Sequence, residues 1–242
     1  MQTIEAERLF SGLISAEYDM LKLICPAAVE VSQKVGETLE TWQVGKPLNV
    51  FELGCGTGIT TLSILLARND ISLTSIDNEP NMLEQSKHNL SHWLETGQLR
   101  LIETDALSGL QSLPDESVDV VASGYVTHNF LEAYRAEVLG EIFRALKPGG
   151  AFINGDRYAL DDTLEHTRFT QEEVKYWFKV FGEMNRYDLL EQWIVHLFSD
   201  ESHDHIMRLE PALTCMKGIG FSPIEVRYRE GINTLLLAVK PV

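Results

Sequence analysis

Short apolar runs alternate with helical spacing along most of this chain. The runs are LNVFEL (48–53), SLTSID (72–77), LRLIETD (99–105), VDVVASG (118–124) and GAFINGD (150–156). Near-continuous apolar runs are what strands covered on both faces require. Strands that alternate with helices imply right-handed βαβ units and a parallel sheet. The intervening segments agree. TTLSILLARN (60–69) reads as a helix, and Pro80 opens another with Met82, Leu83, Ser86, Leu90, Trp93 and Leu94 on one side. A helix from about Leu131 to Leu146 carries Tyr134, Val138, Ile142 and Leu146 at four-residue steps, and Lys147-Pro148-Gly149-Gly150 closes it.

Three regions depart from the alternation. The N-terminal stretch reads as helical, with Ala28, Val31, Val35, Leu39 and Trp42 on one face after a break at Pro26. Residues 157–217 read as a helical insertion rich in aromatic residues. Thr170 to Glu173 forms a capping box there, ahead of Val174, Trp177, Phe178 and Phe181. FSPIEVRY and NTLLLAVK, joined by Arg229-Glu230-Gly231-Ile232, read as an antiparallel hairpin. The domain division expected is an N-terminal helical segment (1–47), a core (48–156 with 218–242) and the insertion (157–217).

The first run ends in VFELGCGTG, with glycine at 54, 56 and 58 and Glu52 just before the turn. Glycine is used where a backbone adopts positive φ or a ligand comes close. The spacing G-x-G-x-G is neither the dinucleotide fingerprint nor a Walker loop. A pyrophosphate would be repelled by Glu52, whereas a cationic amine would be attracted. Asp77 ends the second strand, where a carboxylate accepts from ribose hydroxyls. A tight turn around the glycines and helix caps at Asp77 and Asp105 remain open as purely structural alternatives. A ligand with a ribose and a positive group, but no need of phosphate, fits the residues; S-adenosylmethionine is such a molecule.

The sequence resembles the class I S-adenosylmethionine-dependent methyltransferases. ELGCGTG is similar to the family's first motif, SIDNEPNML to its second-strand acidic motif, ETDAL to its adenine-side motif and LKPGGAFING to its fifth-strand entry. FSGLISAEYDML resembles, more loosely, the Tyr-Asp segment of small-molecule methyltransferases. The resemblance covers roughly 48–156 and the terminal hairpin. It implies a Rossmann-like, doubly wound α/β fold of seven strands, mostly parallel with a C-terminal antiparallel hairpin, plus a helical cover. It also implies that Gly54, Cys55, Gly56, Thr57 and Gly58 wrap the methionine part of S-adenosyl-L-methionine, with Glu52 near its amine. Asp77 would hold the ribose, Asn78 and Met82 would lie beside the adenosine, and Asp105 and Ala106 would meet the adenine. Ser123, Gly124 and Tyr125 would line the methyl-donor side, and Tyr18 would close over the carboxylate end.

Methyl transfer asks an enzyme mainly for alignment and exclusion of water. A base is needed only when the acceptor holds its proton. His128, four residues past Gly124, is the candidate base, with Tyr125 beside it, and Arg157 and Tyr158 are candidate substrate contacts. A histidine that only makes a loop hydrogen bond is the structural alternative. SIDNEPNMLEQ and the C-terminal layout also resemble the carboxy-S-adenosylmethionine synthases. Those need an arginine for the added carboxylate, for which Arg186 and Arg208 are the nearby options. A non-catalytic cofactor-binding subunit is a third reading.

Composition limits the partners. The chain has 242 residues and a formal net charge of −16, a poor match to phosphate backbones. The three cysteines, at 25, 55 and 215, suggest neither a disulfide framework nor a metal site. No apolar run approaches the ~20 residues a membrane helix needs, and no signal peptide is visible. The expectation is a cytoplasmic enzyme acting on a small molecule, without metal, nucleic acid or membrane, with a homodimer left open.

Overall fold

The computed structural model describes residues 21–242, so the Tyr18 segment lies outside the described residues. A short helix α1 (Leu21–Ile24) leads into α2 (Pro26–Thr41). Pro26 occupies the first turn of α2, where its missing N–H costs nothing, so it starts the helix rather than breaking one. Then follow β1 (Leu48–Leu53), α3 (Ile59–Ala67), β2 (Ile71–Asp77), α4 (Pro80–Asn89), α5 (Ser91–Glu95), β3 (Leu99–Glu103) and α6 (Ala106–Gln111). The chain continues through β4 (Val118–Gly124), a 3-10 turn (Thr127–Asn129), α7 (Glu132–Ala145), β5 (Leu146–Arg157), α8 (Thr163–Glu183) and α9 (Tyr187–Asp200). It closes with α10 (Leu209–Ile219), β6 (Ile224–Glu230) and β7 (Asn233–Val239).

The strands form one seven-stranded sheet in the order β3-β2-β1-β4-β5-β7-β6. β1 to β5 are parallel, and β7 enters antiparallel between β5 and β6. This is the expected Rossmann-like, doubly wound arrangement. Side-chain alternation divides the core into two layers. Leu48 and Val50 of β1 face Val35 and Leu39 of α2 and Ile64 and Leu65 of α3. Phe51 and Leu53 face the other way, onto Leu110 of α6, Val138 and Ile142 of α7, and Met216 of α10.

Local readings shift in three places. β5 begins at Leu146, inside the run expected to be only a helix stop. Gly149 takes φ of 75°, and the ladder to β4 slips between Val118 and Val120, so the chain pairs again after the turn. The N-terminus of α8 is Asp162, whose Oδ1 accepts from the Leu164 and Glu165 N–H groups at 2.9 Å each. Thr170 is therefore mid-helix, not a cap. α10, placed largely in the insertion by the sequence, packs on α7 and belongs to the helical layer of the sheet.

α8 and α9 make a smaller apolar cluster with the start of the described chain. Trp177, Phe181, Leu189, Leu190 and Leu197 surround Ile24 and Ala28. Tyr176 Oη and Trp177 Nε1 donate to the carbonyls of Leu23 and Ile24 at 3.1 and 3.3 Å. Cys25 and Tyr125 pack against this cluster, so it adjoins the loop after β4.

Candidate functional site

The glycine turn needs its glycines. Gly54, Gly56 and Gly58 have φ of 64°, 52° and 97°, a region that side chains with a Cβ avoid. The Cys55 N–H donates to the Ile76 carbonyl at 2.9 Å, and the Gly58 N–H to the Cys55 carbonyl at 2.8 Å. Asp77, at the end of β2, ties the turn to its neighbour strand. Its Oδ2 accepts from the Gly56 N–H at 2.7 Å and its Oδ1 from the Glu79 N–H at 2.9 Å. Burial raises the Asp77 carboxyl above its usual range, against the opposing pull of these backbone bonds. The cap of α4 is Glu79, not Asp77.

A cleft of about 660 Å³, part of it open to solvent, lies at the C-terminal ends of β1 to β4. That is where the strand order reverses and where open α/β sheets bind ligands. Gly54 and Gly56 form one wall. Asp77, Asn78 and Met82 form the second, Asp105 and Ala106 the third, and Gly124 and Tyr125 the fourth. Thr104, Val126, Asn129 and Phe130 also line it, though sequence reasoning did not single them out. The stretch YVTHNF directly after β4 carried the only signal for three of these. Asn129 is buried, and its Oδ1 accepts no hydrogen bond.

Asp105 is also the N-cap of α6. Its Oδ1 accepts from the Ser108 N–H at 2.9 Å and from Tyr134 Oη at 3.3 Å. Burial alone would raise this carboxyl, yet the bonds from Ser108 and Tyr134 hold it below the usual range. It is therefore ionised at neutral pH.

Other candidate residues lie behind the cleft wall. Glu52 is 0% exposed, enclosed between β1, β2 and α3. Its Oε2 accepts from Thr61 Oγ1 at 2.7 Å and Ser75 Oγ at 2.5 Å, while Oε1 has no partner. Burial pushes its pKa up to about 7 in spite of those two hydroxyls. The group read as a fixed negative charge is thus not held ionised at neutral pH. Cys55 is buried and its thiol is raised well above the usual range by burial, so it is filler rather than a reactive group. Thr57 is buried, and its carbonyl accepts from Asn89 Nδ2 at 2.9 Å. Ser123 is buried with an unpartnered Oγ.

Tyr125 has φ of 57°, a left-handed conformation unusual for an aromatic residue. Its hydroxyl donates to Asn233 Oδ1, and its ring meets the His128 ring edge-on at 5.7 Å. Behind it, His128 Nδ1 pairs with Asp156 Oδ1 at 2.5 Å. Asp156 also accepts from the Thr127 N–H and Oγ1, at 2.8 and 2.7 Å, and from the Arg157 N–H at 2.8 Å. Burial opposes ionisation of Asp156, but His128 and Thr127 keep its carboxyl below the usual range. His196 and Asp200 of α9 lie against the same histidine. Burial lowers the His196 pKa, leaving the ring neutral at neutral pH.

Arg157 and Tyr158 stand differently from expectation. The Arg157 guanidinium binds Glu173 at 2.9 and 3.0 Å and Glu201 at 3.2 Å. Burial works against its charge, but Glu173, Asp200 and Glu201 more than offset that and raise its pKa. Tyr158 is 0% exposed, and its hydroxyl accepts from Asn154 Nδ2 at 2.7 Å. Neither residue forms part of the cleft wall. Both are held in the framework that joins β5 to α8 and α10.

Residues 51–154 match the family model described as a methyltransferase domain. A carboxy-S-adenosyl-L-methionine synthase from Erwinia tasmaniensis is 24% identical over 146 residues, covering 60% of this chain and 57% of that protein. The chain's match thus spans under two thirds of that relative's length. Among solved structures, an O-methyltransferase family protein from Burkholderia thailandensis superposes with a TM-score of 0.65 at 16% identity, covering 94% of this chain and 60% of the other. Phospholethanolamine N-methyltransferase 2 of Haemonchus contortus, solved with phosphomonomethylethanolamine and S-adenosylhomocysteine, gives 0.66 at 14% identity, covering 98% and 60%. The motif order, the sheet topology and the cleft at the strand ends all agree with the match of residues 51–154 to a methyltransferase domain.

Proposed function

We propose that the chain transfers a methyl group from S-adenosylmethionine to a small-molecule acceptor. The observation that carries this reading is the cleft bounded by the glycine turn, Asp77 and Asp105 at the ends of three successive strands. The residues present fit the cofactor. Asp77 accepts backbone N–H groups from Gly56 and Glu79 and keeps acceptor capacity for ribose hydroxyls. Met82 and Ala106 give apolar surface for adenine, and ionised Asp105 takes its amine. Glu52, enclosed behind the glycine turn with Oε1 unpartnered, would act on the ammonium end from behind the turn rather than by contact. When bound, S-adenosylmethionine supplies an electrophilic methyl on a sulfonium that leaves without acid help.

The chain's own residues then align the acceptor and exclude water. Tyr125 and Asn129 line the cleft and are placed to meet an acceptor. His128, with Nδ1 held by Asp156, is the proposed proton acceptor for a hydroxyl substrate. Cofactor choice is tested by calorimetry: S-adenosylhomocysteine should bind, and NAD should not. NAD binding without S-adenosylhomocysteine binding would reject the reading. Transfer of labelled methyl from cofactor into a metabolite extract identifies the acceptor.

The similarity to carboxy-S-adenosylmethionine synthases favours a second reading, manufacture of a modified cofactor. Against it, none of the cleft-lining residues among the described residues is an arginine or lysine. Arg208 donates to the Leu160 carbonyl, and Arg186 pairs with Asp188. Mass spectrometry of ligand copurified with the protein separates the two readings. We place the activity in the cytoplasm, in keeping with three free cysteines. No helix among the described residues is long and apolar enough to cross a membrane. The charge of −16 argues against nucleic-acid partners.

A further inference from the structure

We infer that His128, His196 and Asp200 form a binding site for a divalent transition-metal ion of the zinc or ferrous type. The methyl-transfer reading does not call for such a site, and the sequence, judged on its cysteines, suggested none. The three side chains come from two parts of the fold. His128 sits in the 3-10 turn after β4, and His196 and Asp200 are four residues apart on α9. Four-residue spacing puts two side chains on one helix face. Each side chain offers one ligand atom, and these atoms all lie within 4.8 Å of one another. His196 Nε2 and Asp200 Oδ2 are already 3.6 Å apart. Metal–ligand bonds of about 2.1 Å place tetrahedral ligands about 3.4 Å apart, so closure needs side-chain shifts of roughly an ångström.

A second observation points to a cation. His128, His196 and Asp200 are only 7%, 6% and 8% exposed. Asp200 Oδ1 is nevertheless buried without any hydrogen-bond partner. A buried carboxylate oxygen left unsatisfied is costly unless something fills the position. The Arg157 charge acts on Asp200, but its hydrogen bonds go to Glu173 and Glu201, so it does not fill that position.

The surroundings of His128 also suit a metal ligand. Asp156 holds Nδ1, which fixes the tautomer and turns Nε2 outward as the donor atom. A carboxylate behind a histidine is the usual support of a metal-bound imidazole. Two imidazoles and one carboxylate suit zinc or ferrous ions better than magnesium or calcium, which prefer all-oxygen sets. Three protein ligands leave a position for water or a substrate oxygen. A cation on Nε2 takes the lone pair that a general base would use, so the two roles of His128 exclude one another. A cation held by His128, His196 and Asp200 would supply Lewis acidity there, and His128 would then not act as a base.

The test uses the full, untagged chain, stripped with a chelator and titrated with Co²⁺ and then Zn²⁺. The expected result is uptake of a single equivalent of Co²⁺, with the visible absorption of a low-coordinate nitrogen-ligated ion, displaced by Zn²⁺. His196→Ala and Asp200→Asn should each weaken uptake at least about tenfold, and Asp156→Asn by about 10–100-fold. X-ray absorption of the Zn²⁺-loaded wild-type chain should show two imidazole ligands, a readout that holds even if a variant fails to fold. Absence of stoichiometric uptake, uptake unchanged in folded His196→Ala, or a spectrum without imidazole would overturn the inference. Calorimetry with S-adenosylhomocysteine on the same sample keeps the two ideas apart, since cofactor binding and cation uptake succeed or fail separately.

Discussion

At the scale of single residues, Glu52 makes the sharpest demand on the surroundings. Its folded pKa of about 7 lies above the ordinary value of 4.5. Folding therefore favours the protonated form. The stabilisation is fully present below about pH 4.5 and is lost as pH rises through about 7. Glu52→Gln keeps the shape without the ionisation. Chemical denaturation of that variant should show a flatter pH dependence between these limits, and a gain on the order of 2 kcal/mol above pH 7. A variant that keeps the wild-type slope would assign the titration to another group. Asp77 gives a separate test, because it both closes the turn and faces the cleft. Asp77→Asn retains one acceptor oxygen, and should weaken S-adenosylhomocysteine binding by about 1–3 kcal/mol in calorimetry. Unchanged affinity in a folded variant would reduce Asp77 to a brace for the turn.

The same residues show what could be read in advance. Gly54, Gly56, Asp77, Asn78, Met82, Asp105, Ala106, Gly124 and Tyr125 all line the cleft, because each sits in a short motif at a strand end. Asp156 was passed over as part of a strand, although it grips His128. The pairing joins residues 28 apart and depends on β4 and β5 being in register, Gly124 opposite Gly155. Local spacing carries no trace of such a contact. His196 and Asp200 were hidden for a similar reason, since their role depends on where α9 docks.

At the scale of elements, the turn after β1 is the most tightly specified. A Cβ on Gly54 would lie 2.3 Å from Val126 Cγ2, in a backbone conformation that side chains already avoid. Gly54→Ala should cost about 2–4 kcal/mol in denaturant unfolding, combining left-handed strain with overpacking. A loss below 1 kcal/mol would mean that the turn relaxes. Helix boundaries were less legible. Asp161-Asp162-Thr163 and the box at Thr170 to Glu173 both carry capping signals, and only docking of α8 on α1 decides between them. The long β5 was obscured because Pro148-Gly149-Gly150 serves a bulged re-entry into the sheet as well as it serves a helix stop.

At the scale of the whole molecule, the cluster of α1, α8 and α9 lies on the side of Tyr125, next to the cleft. We expect it to act as a cover that tightens when cofactor binds. Hydrogen exchange with S-adenosylhomocysteine should slow in residues 21–28 and in α8, as well as around the glycine turn. Slowing confined to the turn, Asp77 and Asp105 would make the cluster a fixed appendage. How the helices of 163–200 pack was only partly legible, since their aromatic residues are shared between an internal core and solvent. Trp177 and Phe181 are enclosed, whereas Phe178 and Tyr187 are more than half exposed.

The far edge of the sheet has a consequence for how copies of this chain meet. β6 is the last strand on that side, and its ladder to β7 slips between Val226 and Tyr228. Its sequence, IEVRYRE, puts Glu225, Arg227, Arg229 and Glu230 along the border. A bent, charged border is a poor template for a neighbouring strand. Two molecules laid side by side there would have to bury these charged side chains and match a broken register. The sheet thereby resists growth by strand addition at β6, which turns any lasting pairing of two copies toward other surfaces.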